Sequence, residues 1–349
     1  MRPSRWAVAT MVAGMWVSLT HDVPPAHALD GPSVDAVMEE LHLSDGDRQR
    51  ILGGEIVEWS AGEGSDRELA IGLAFLVKAP PKNLAEIYRQ AVSFDKVPVI
   101  TAHGQIVGEG TIDDFAHLTL QPNPEKEARR YLNAQPGNEL NLDAHEIAAF
   151  RALKASSHDG VPVQKVEGLI REMLLARYQA YRTKGLPGIA PYERGDGRQR
   201  RPGDELLLST KELLGIARHA PAFHNFLLNY PHTLTAEQAK HVEEYFYWLN
   251  IDVFGRPTYV LMHRMLAHVG TAGVAVERQY YAGHDYNCML QGIAGLPTKE
   301  GMFLFYIGRV STDQVGGFGS SAKHPIARTI AAPYIKDTFK ILQSGKPEP

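Results

Sequence analysis

The chain has 349 residues, 44% hydrophobic and 22% charged, with a formal net charge of −4. That length allows one large domain or two of ordinary size, and the mild acidity argues against nucleic acid, which calls for a basic face. Cys288 is the single cysteine, so no disulfide can form within the chain and the fold must be held by burial.

The N-terminus reads as an export signal. Arg2 and Arg5 precede a mostly apolar run of 14 residues from Trp6 to Leu19, and Ala26-His27-Ala28 supplies a small-residue cleavage site. A membrane span needs roughly 20 apolar residues. The run is too short, so the mature protein is expected to be exported, periplasmic or extracellular, with no transmembrane span. Removing the signal peptide, residues 1–28, takes away Arg2, Arg5 and Asp22 and shifts the net charge from −4 to about −5.

Residues 29–159 are expected to form the N-terminal part of an α+β domain. Gly54 to Ser60 and Glu68 to Lys78 alternate as two strands around the turn-rich Ala61 to Asp66, which predicts a hairpin. Pro80-Pro81 then opens a helix with Leu84, Ile87, Tyr88 and Ala91 at helical spacing. Strands are expected near His117 to Gln121 and Glu139 to Leu142, with a helix from Pro124 to Asn133.

Residues 160–243 read as an inserted helical subdomain. Val166, Leu169, Ile170, Met173, Leu174, Tyr178 and Tyr181 recur at three and four, giving one apolar stripe. Further helices are predicted at Glu212 to His219, Pro221 to Leu228 and Thr235 to Phe246. Gly185 to Glu205 is rich in Gly, Pro and Arg; its Arg198, Arg200 and Arg201 could dock an anion but read more simply as a solvated loop.

Residues 244–342 form the other part of the same domain. Tyr245 to Val253, Thr258 to Val269, Val276 to Gln291 and Met302 to Asp313 predict four strands that pair with their sequence neighbours. A Gly-rich turn feeds a long C-terminal helix with Pro325 at its start, an apolar stripe of Ile326, Ile330, Tyr334, Ile335, Phe339 and Leu342, and a kink at Pro333. Residues 343–349 are expected to be a disordered tail.

Three local motifs fail on context. Gly317-Phe-Gly-Ser-Ser-Ala322 matches a dinucleotide fingerprint, but no second βα unit can follow in the 27 residues left. Ser320-Ser-Ala-Lys323 lacks the partner motifs of an acyl-serine enzyme. His145-Glu146 has Ala149 where a second zinc histidine should stand. No metal and no cofactor are therefore expected.

In the third meander strand, parity puts Arg278, Tyr280, His284, Tyr286 and Cys288 on one face, with Glu277, Gln279, Tyr281, Asp285 and Asn287 on the other. Tyrosines with one charge or imidazole can orient an apolar ligand by its polar end. Arg278, Tyr280, His284 and Tyr286, with His263 and Arg309, are thus the candidate ligand-binding residues. The face could also hold a satisfied histidine beside plain surface, or His284 could serve as a catalytic base with Asp285 or Asp313, although no nucleophile is identifiable beside it.

Phe75-Leu-Val-Lys-Ala-Pro-Pro-Lys-Asn-Leu-Ala-Glu-Ile-Tyr88, the later meander and the long final helix resemble the START-like, helix-grip superfamily. Its members curve an antiparallel sheet around a C-terminal helix and hold lipids or other apolar molecules between them. Glu277-Arg-Gln-Tyr-Tyr-Ala-Gly-His284, Tyr306-Ile-Gly-Arg-Val-Ser-Thr-Asp313 and Gly316-Gly-Phe-Gly319 with Arg328 also resemble an uncharacterised family of exported bacterial proteins. Gly283 and Asp285 depart from that pattern, leaving His284, Arg309 and Asp313 as matched polar positions. The resemblance implies an exported binder or carrier of an apolar or amphipathic small molecule, with a hydrolase or lyase using His284, or an interaction module without small ligand, as alternatives.

Two residues carry a structural expectation. Arg309 should be at least half buried and paired with a carboxylate, Asp285 or Glu277 first, because an unpaired buried guanidinium is prohibitive. Asp313 should accept N–H groups of the turn at Gly316, Gly317 and Gly319, fixing the entry to the last helix beside Arg328.

Overall fold

The computed structural model describes residues 32–78, 94, 97, 99–157, 160–195, 197–232, 234–253, 255–270, 272–317 and 319–344. The expected export signal, the helix expected after Pro80-Pro81 and the tail from 345 on lie outside the described residues.

Two short helices, α1 (Val34–Glu40) and α2 (Asp45–Leu52), come first. Ser44 caps α2 through a reciprocal bond with Asp47, satisfying N–H groups that a helix start leaves free. β1 (Val57–Trp59) and β2 (Glu68–Val77) then form the expected hairpin. β3 (Ile100–Ile106) follows, and His117 to Gln121 is irregular and not a strand.

The region between β3 and β6 is helical: α3 (Pro124–Leu132), α4 (Ala144–Ala155), the 22-residue α5 (Val163–Lys184), α6 (Pro202–Lys211), α7 (Leu214–His219), α8 (Pro221–Asn229) and α9 (Ala236–Ala239). A small ribbon, β4 (Tyr192–Glu193) and β5 (Gln199–Arg200), interrupts it. α9 stops well short of Phe246, because β6 (Val242–Asp252) begins there and its alternating residues are claimed by both faces of the sheet. Tyr247, Leu249 and Ile251 pack on one side, Phe246 and Trp248 on the other.

The meander has five strands, not four: β6, β7 (Pro257–Val269), β8 (Ala272–Ala282), β9 (Cys288–Pro297) and β10 (Met302–Ser311). The single strand expected from Val276 to Gln291 is broken at Gly283 to Asn287, where Asp285 takes a φ of 69°. β7 is buried from Pro257 to Ala267 because its residues enter apolar clusters on both faces of the sheet, which erases the alternation of a half-exposed strand.

The eight strands pair antiparallel in the order β1-β2-β10-β9-β8-β7-β6-β3, so the first long strand lies beside the last. One face carries α1, α2 and the helical region. The other carries the C-terminal helix α10 (Ser320–Ser344), whose Ala327, Ala331, Ile335 and Phe339 pack with Leu73, Phe75 and Tyr306. The helix starts five residues before Pro325 and includes Pro333; Ile326 is 58% exposed, so it leaves the expected stripe, and the side chains of Tyr334 and Leu342 lie outside the described residues. The result is an α+β protein: an eight-stranded antiparallel sheet, a C-terminal helix against it and a helical region inserted between strands.

Candidate functional site

A cleft of about 1140 Å³ opens on the face opposite α10, between α1, α7 and the sheet. Its floor is low because the residues there are small. On β10, Ile307 stands between Gly72 of β2 and Gly292 of β9, and Ala272 and Ala294 continue the floor. Trp59 ends it: a Cβ on Gly72 would lie 2.3 Å from the indole, so this ring can lie flat only over glycine. Phe305, Val274, Leu213 and Val37 make the rest of the wall largely apolar, which suits a small organic ligand.

At one end stands Arg309, 2% exposed. It donates from Nη1 to Glu68 Oε2 at 2.9 Å and from Nη2 to the Glu212 carbonyl at 3.2 Å. Burial and carboxylate pairing are as its charge requires, but the partner is Glu68 and neither Asp285 nor Glu277. Alternation explains the correction. Arg309 and Glu68 share a sheet face as diagonal neighbours, since Arg309 pairs with Ala70 and Ser311 with Glu68. Glu277 projects to the α10 side and pairs with Arg264 at 2.6 Å. Across the mouth, Glu40 of α1 accepts from His219 Nε2 of α7 at 2.9 Å, with Arg218 at 3.6 Å.

Of the expected ligand-binding residues, only Arg309 lines this cleft. Arg278, Tyr280 and His263 do come together, but under the helices. Arg278, with no exposed surface, donates to Tyr181 Oη, Thr210 Oγ1 and the Leu227 carbonyl. Tyr181 Oη contacts His263 Nδ1 at 2.9 Å, and His263 Nε2 contacts Glu244 at 3.0 Å. Burial pushes the His263 imidazole down to about 4, so at neutral pH it is uncharged, donating from Nε2 and accepting at Nδ1. Tyr280 is the extra residue of a β-bulge opposite Leu261 and Met262; it stacks on Tyr181 at 4.0 Å, while Tyr281 turns to the same face. The parity sorting of this strand therefore holds for Tyr280, which shares the face of Arg278, and fails from Tyr281 on.

His284 and Tyr286 sit in the β8–β9 turn. His284 is 1% exposed; Nδ1 meets Asp285 Oδ2, and Nε2 lies 2.8 Å from Thr258 Oγ1 and 3.1 Å from the Pro257 carbonyl. The order carboxylate, imidazole, hydroxyl is that of a nucleophilic triad, but Thr258 has no exposed surface. Residues 139–142 are not a strand; Asn141 instead clamps this turn, donating from Nδ2 to the Ala282 and Tyr286 carbonyls and from its N–H to Gly283. Tyr286 faces the α10 side and donates to Gln279.

Asp313 corrects another expectation. Among the described residues it accepts nothing from the Gly-rich turn and pairs instead with Arg194 at 2.9 Å and with Arg200 of β5, with Arg67 at 3.5 Å. Arg194 also reaches Asn141 and Asn287. The turn's Gly317 N–H goes to Asp66 at 3.0 Å, and Gly317 and Gly319 hold φ of 74° and 77°, which only glycine adopts freely. Arg328 and His324 both pair with Glu63, tying α10 to the β1–β2 loop. Asp313→Asn is expected to leave Arg194 and Arg200 facing each other and to cost about 2 kcal/mol in urea unfolding, discounted from a fully buried pair because Asp313 is partly exposed. An unchanged midpoint would reduce the cluster to surface pairing.

Sequence reasoning did not identify Trp59, Glu205 or Glu212, and read Arg200 as solvated. Only Arg200 had a signal, the Arg-rich loop; its carboxylate lies 113 residues away. Among the described residues, no group of His, Cys, Asp and Glu could hold a metal ion, and no helix is long and apolar enough to cross a membrane. The class the fold and cleft define is an α+β protein with an antiparallel sheet covered on both faces and an apolar cleft beside its first described helices. A scan against protein-family models finds no match, and a search of curated proteins finds no relative.

Proposed function

We propose that this is an exported binder or carrier of an apolar or amphipathic small molecule, built on a START-like, helix-grip scaffold with an inserted helical subdomain. The cleft carries this reading: about 1140 Å³ of space with largely apolar walls exceeds what one small ligand needs, and its floor of Gly292, Ala272 and Ala294 keeps it open. The START-like assignment draws support from the pairing of the first long strand with the last and from α10 lying across β2. In such a scaffold the space between sheet and C-terminal helix is the usual ligand site. Here that side holds a packed apolar cluster, and the proposed site is on the opposite face. Export rests on the N-terminal signal pattern.

Native mass spectrometry of the protein purified from its own host tests this, with the expectation of a retained apolar molecule. Ile307→Trp should fill the cleft floor and abolish retention with no loss of secondary structure. No bound molecule in the wild type, or equal retention in the variant, would remove the carrier reading. The hydrolase reading keeps one observation in its favour, the chain Asp285, His284, Thr258. Turnover of an ester or amide that disappears in His284→Ala while ligand retention persists would establish it instead.

A further inference from the structure

Every residue of α7 (Leu214–His219) lines the cleft, yet none of the six is buried and Leu214 is 63% exposed. Ile216, half-buried, is its one contact with an apolar core cluster. So short a helix does not hold its shape in water unaided, and α7 depends on its neighbours. The chain also leaves helical geometry at both of its ends. Leu213 takes φ −80° and ψ 58°, and Ala220 takes φ −137° and ψ 56°, so α7 is jointed to α6 on one side and to α8 on the other. Both joint residues are buried. A short segment with little buried surface between two fixed joints has the form of a hinged element.

Its free side is held by one residue. Glu40 of α1 accepts from His219 Nε2 at 2.9 Å and pairs with Arg218 at 3.6 Å. Among the described residues these are the only side-chain hydrogen bonds or ion pairs between α7 and the rest of the protein. Gly215 faces the same carboxylate: a Cβ there would lie 3.9 Å from Glu40 Oε1, so the oxygen comes close to the α7 backbone. Glu40, Arg218 and His219 all line the cleft, so the contact joins its two helical walls. An ion pair with exposed members is weak enough to break and remake. α1 itself is anchored, because Val34 and Met38 are buried with Phe303 and Phe305 of β10.

Resting on the carrier reading above, we propose that α7 is the lid of the cleft: it swings about Leu213 and Ala220 to admit the ligand, and Glu40 then clasps it to α1.

Stopped-flow mixing of the whole protein with an uncharged apolar dye, N-phenyl-1-naphthylamine, reads entry and release separately. Glu40→Ala removes both pairs at once. It should raise the two rates together by about threefold to fivefold, the factor that up to roughly 1 kcal/mol lost from the closed state gives, while affinity moves by less than about twofold. A wall that merely lines the site would change release and affinity and leave entry alone. The converse variant combines Glu40→Cys with His219→Cys, joined by a short reversible bis-thiosulfonate bridge; Cys288 is buried and does not compete. The bridge should stop dye exchange, and its reduction should restore it. Amide hydrogen exchange should be faster in α7 than in α6 or α8 and should slow on dye loading. Unchanged entry and release in Glu40→Ala, or a bridged protein that exchanges dye at the wild-type rate, overturns the lid while leaving the carrier reading intact. If the dye does not bind the wild type, or binds Ile307→Trp equally, the cleft is not the site and both readings fall.

Discussion

Arg309→Ala is expected to lower the stability of the protein by about 3 to 5 kcal/mol, because it strands the Glu68 carboxylate in a dry interior. Glu68 is 2% exposed. It would keep only neutral partners, Ser209 Oγ and the Gly64 N–H. A domain of ordinary stability has only about 5 to 15 kcal/mol in hand, so the variant should unfold at much lower denaturant or fail to accumulate. Glu68→Gln should lose less, since it leaves the guanidinium still bonded to the Glu212 carbonyl. The double variant Arg309→Met with Glu68→Leu should recover much of the loss, as replacing both members of a buried pair by apolar groups is often tolerated. Chemical denaturation of the wild type and the three variants ranks these losses. A loss below about 1 kcal/mol in Arg309→Ala, the range of an exposed pair, would mean that water reaches Glu68 and that the residue belongs to ligand binding alone.

Glu205 predicts the second large effect, and it depends on pH. Its side chain on α6 accepts from Asn287 Nδ2 at 3.2 Å and lies 3.7 Å from Cys288 Sγ. Burial, reinforced by the nearby Asp313 charge and only partly offset by the Asn287 bond, pushes its carboxyl up to about 7. A carboxyl whose folded value is raised binds a proton more tightly in the native state than in the unfolded chain. Its contribution is therefore present below the ordinary value of 4.5, declines as pH rises toward 7, and is fully lost above that. The loss is on the order of 3 kcal/mol across that window, at about 1.4 kcal/mol per unit. Glu205→Gln removes the titration while keeping an acceptor for Asn287. It should leave the melting temperature nearly unchanged at pH 4.5 and raise it by several degrees at pH 8. A variant that melts lower than wild type at both pH values would show that the ionised carboxylate is stabilising and that Arg200 neutralises it.

How far the chain was legible can be seen in β8. Val276 to Gln279 reads correctly as strand, and the tyrosines that follow keep the β pattern, so periodicity alone runs on to Gln291. What ends the strand is the turn at Gly283 to Asn287, held by Asn141 from the helical region and by Thr312 after β10. Both partners are distant in sequence, and so is the bulge partner on β7. Tyr280 keeps the face of Arg278, both meeting Tyr181, whereas His284 and Tyr286 were placed by a parity that the bulge and the turn reset.

Local chemistry in the sequence determined the β1–β2 hairpin, the stripe of α5, the meander and the closing helix, because turn residues, spacing and alternation act between residues close in the chain. It also determined that Arg309 must be buried with a carboxylate, since strand pattern and charge require it. The tertiary structure alone decided which carboxylate: pairing β2 with β10 brings together Glu68 and Arg309, 241 residues apart. It decided as well which face of the sheet holds the cleft. The cleft lies where small residues of β8 and β9 fall side by side beneath α1 and α7, and that coincidence belongs to the register of the strands.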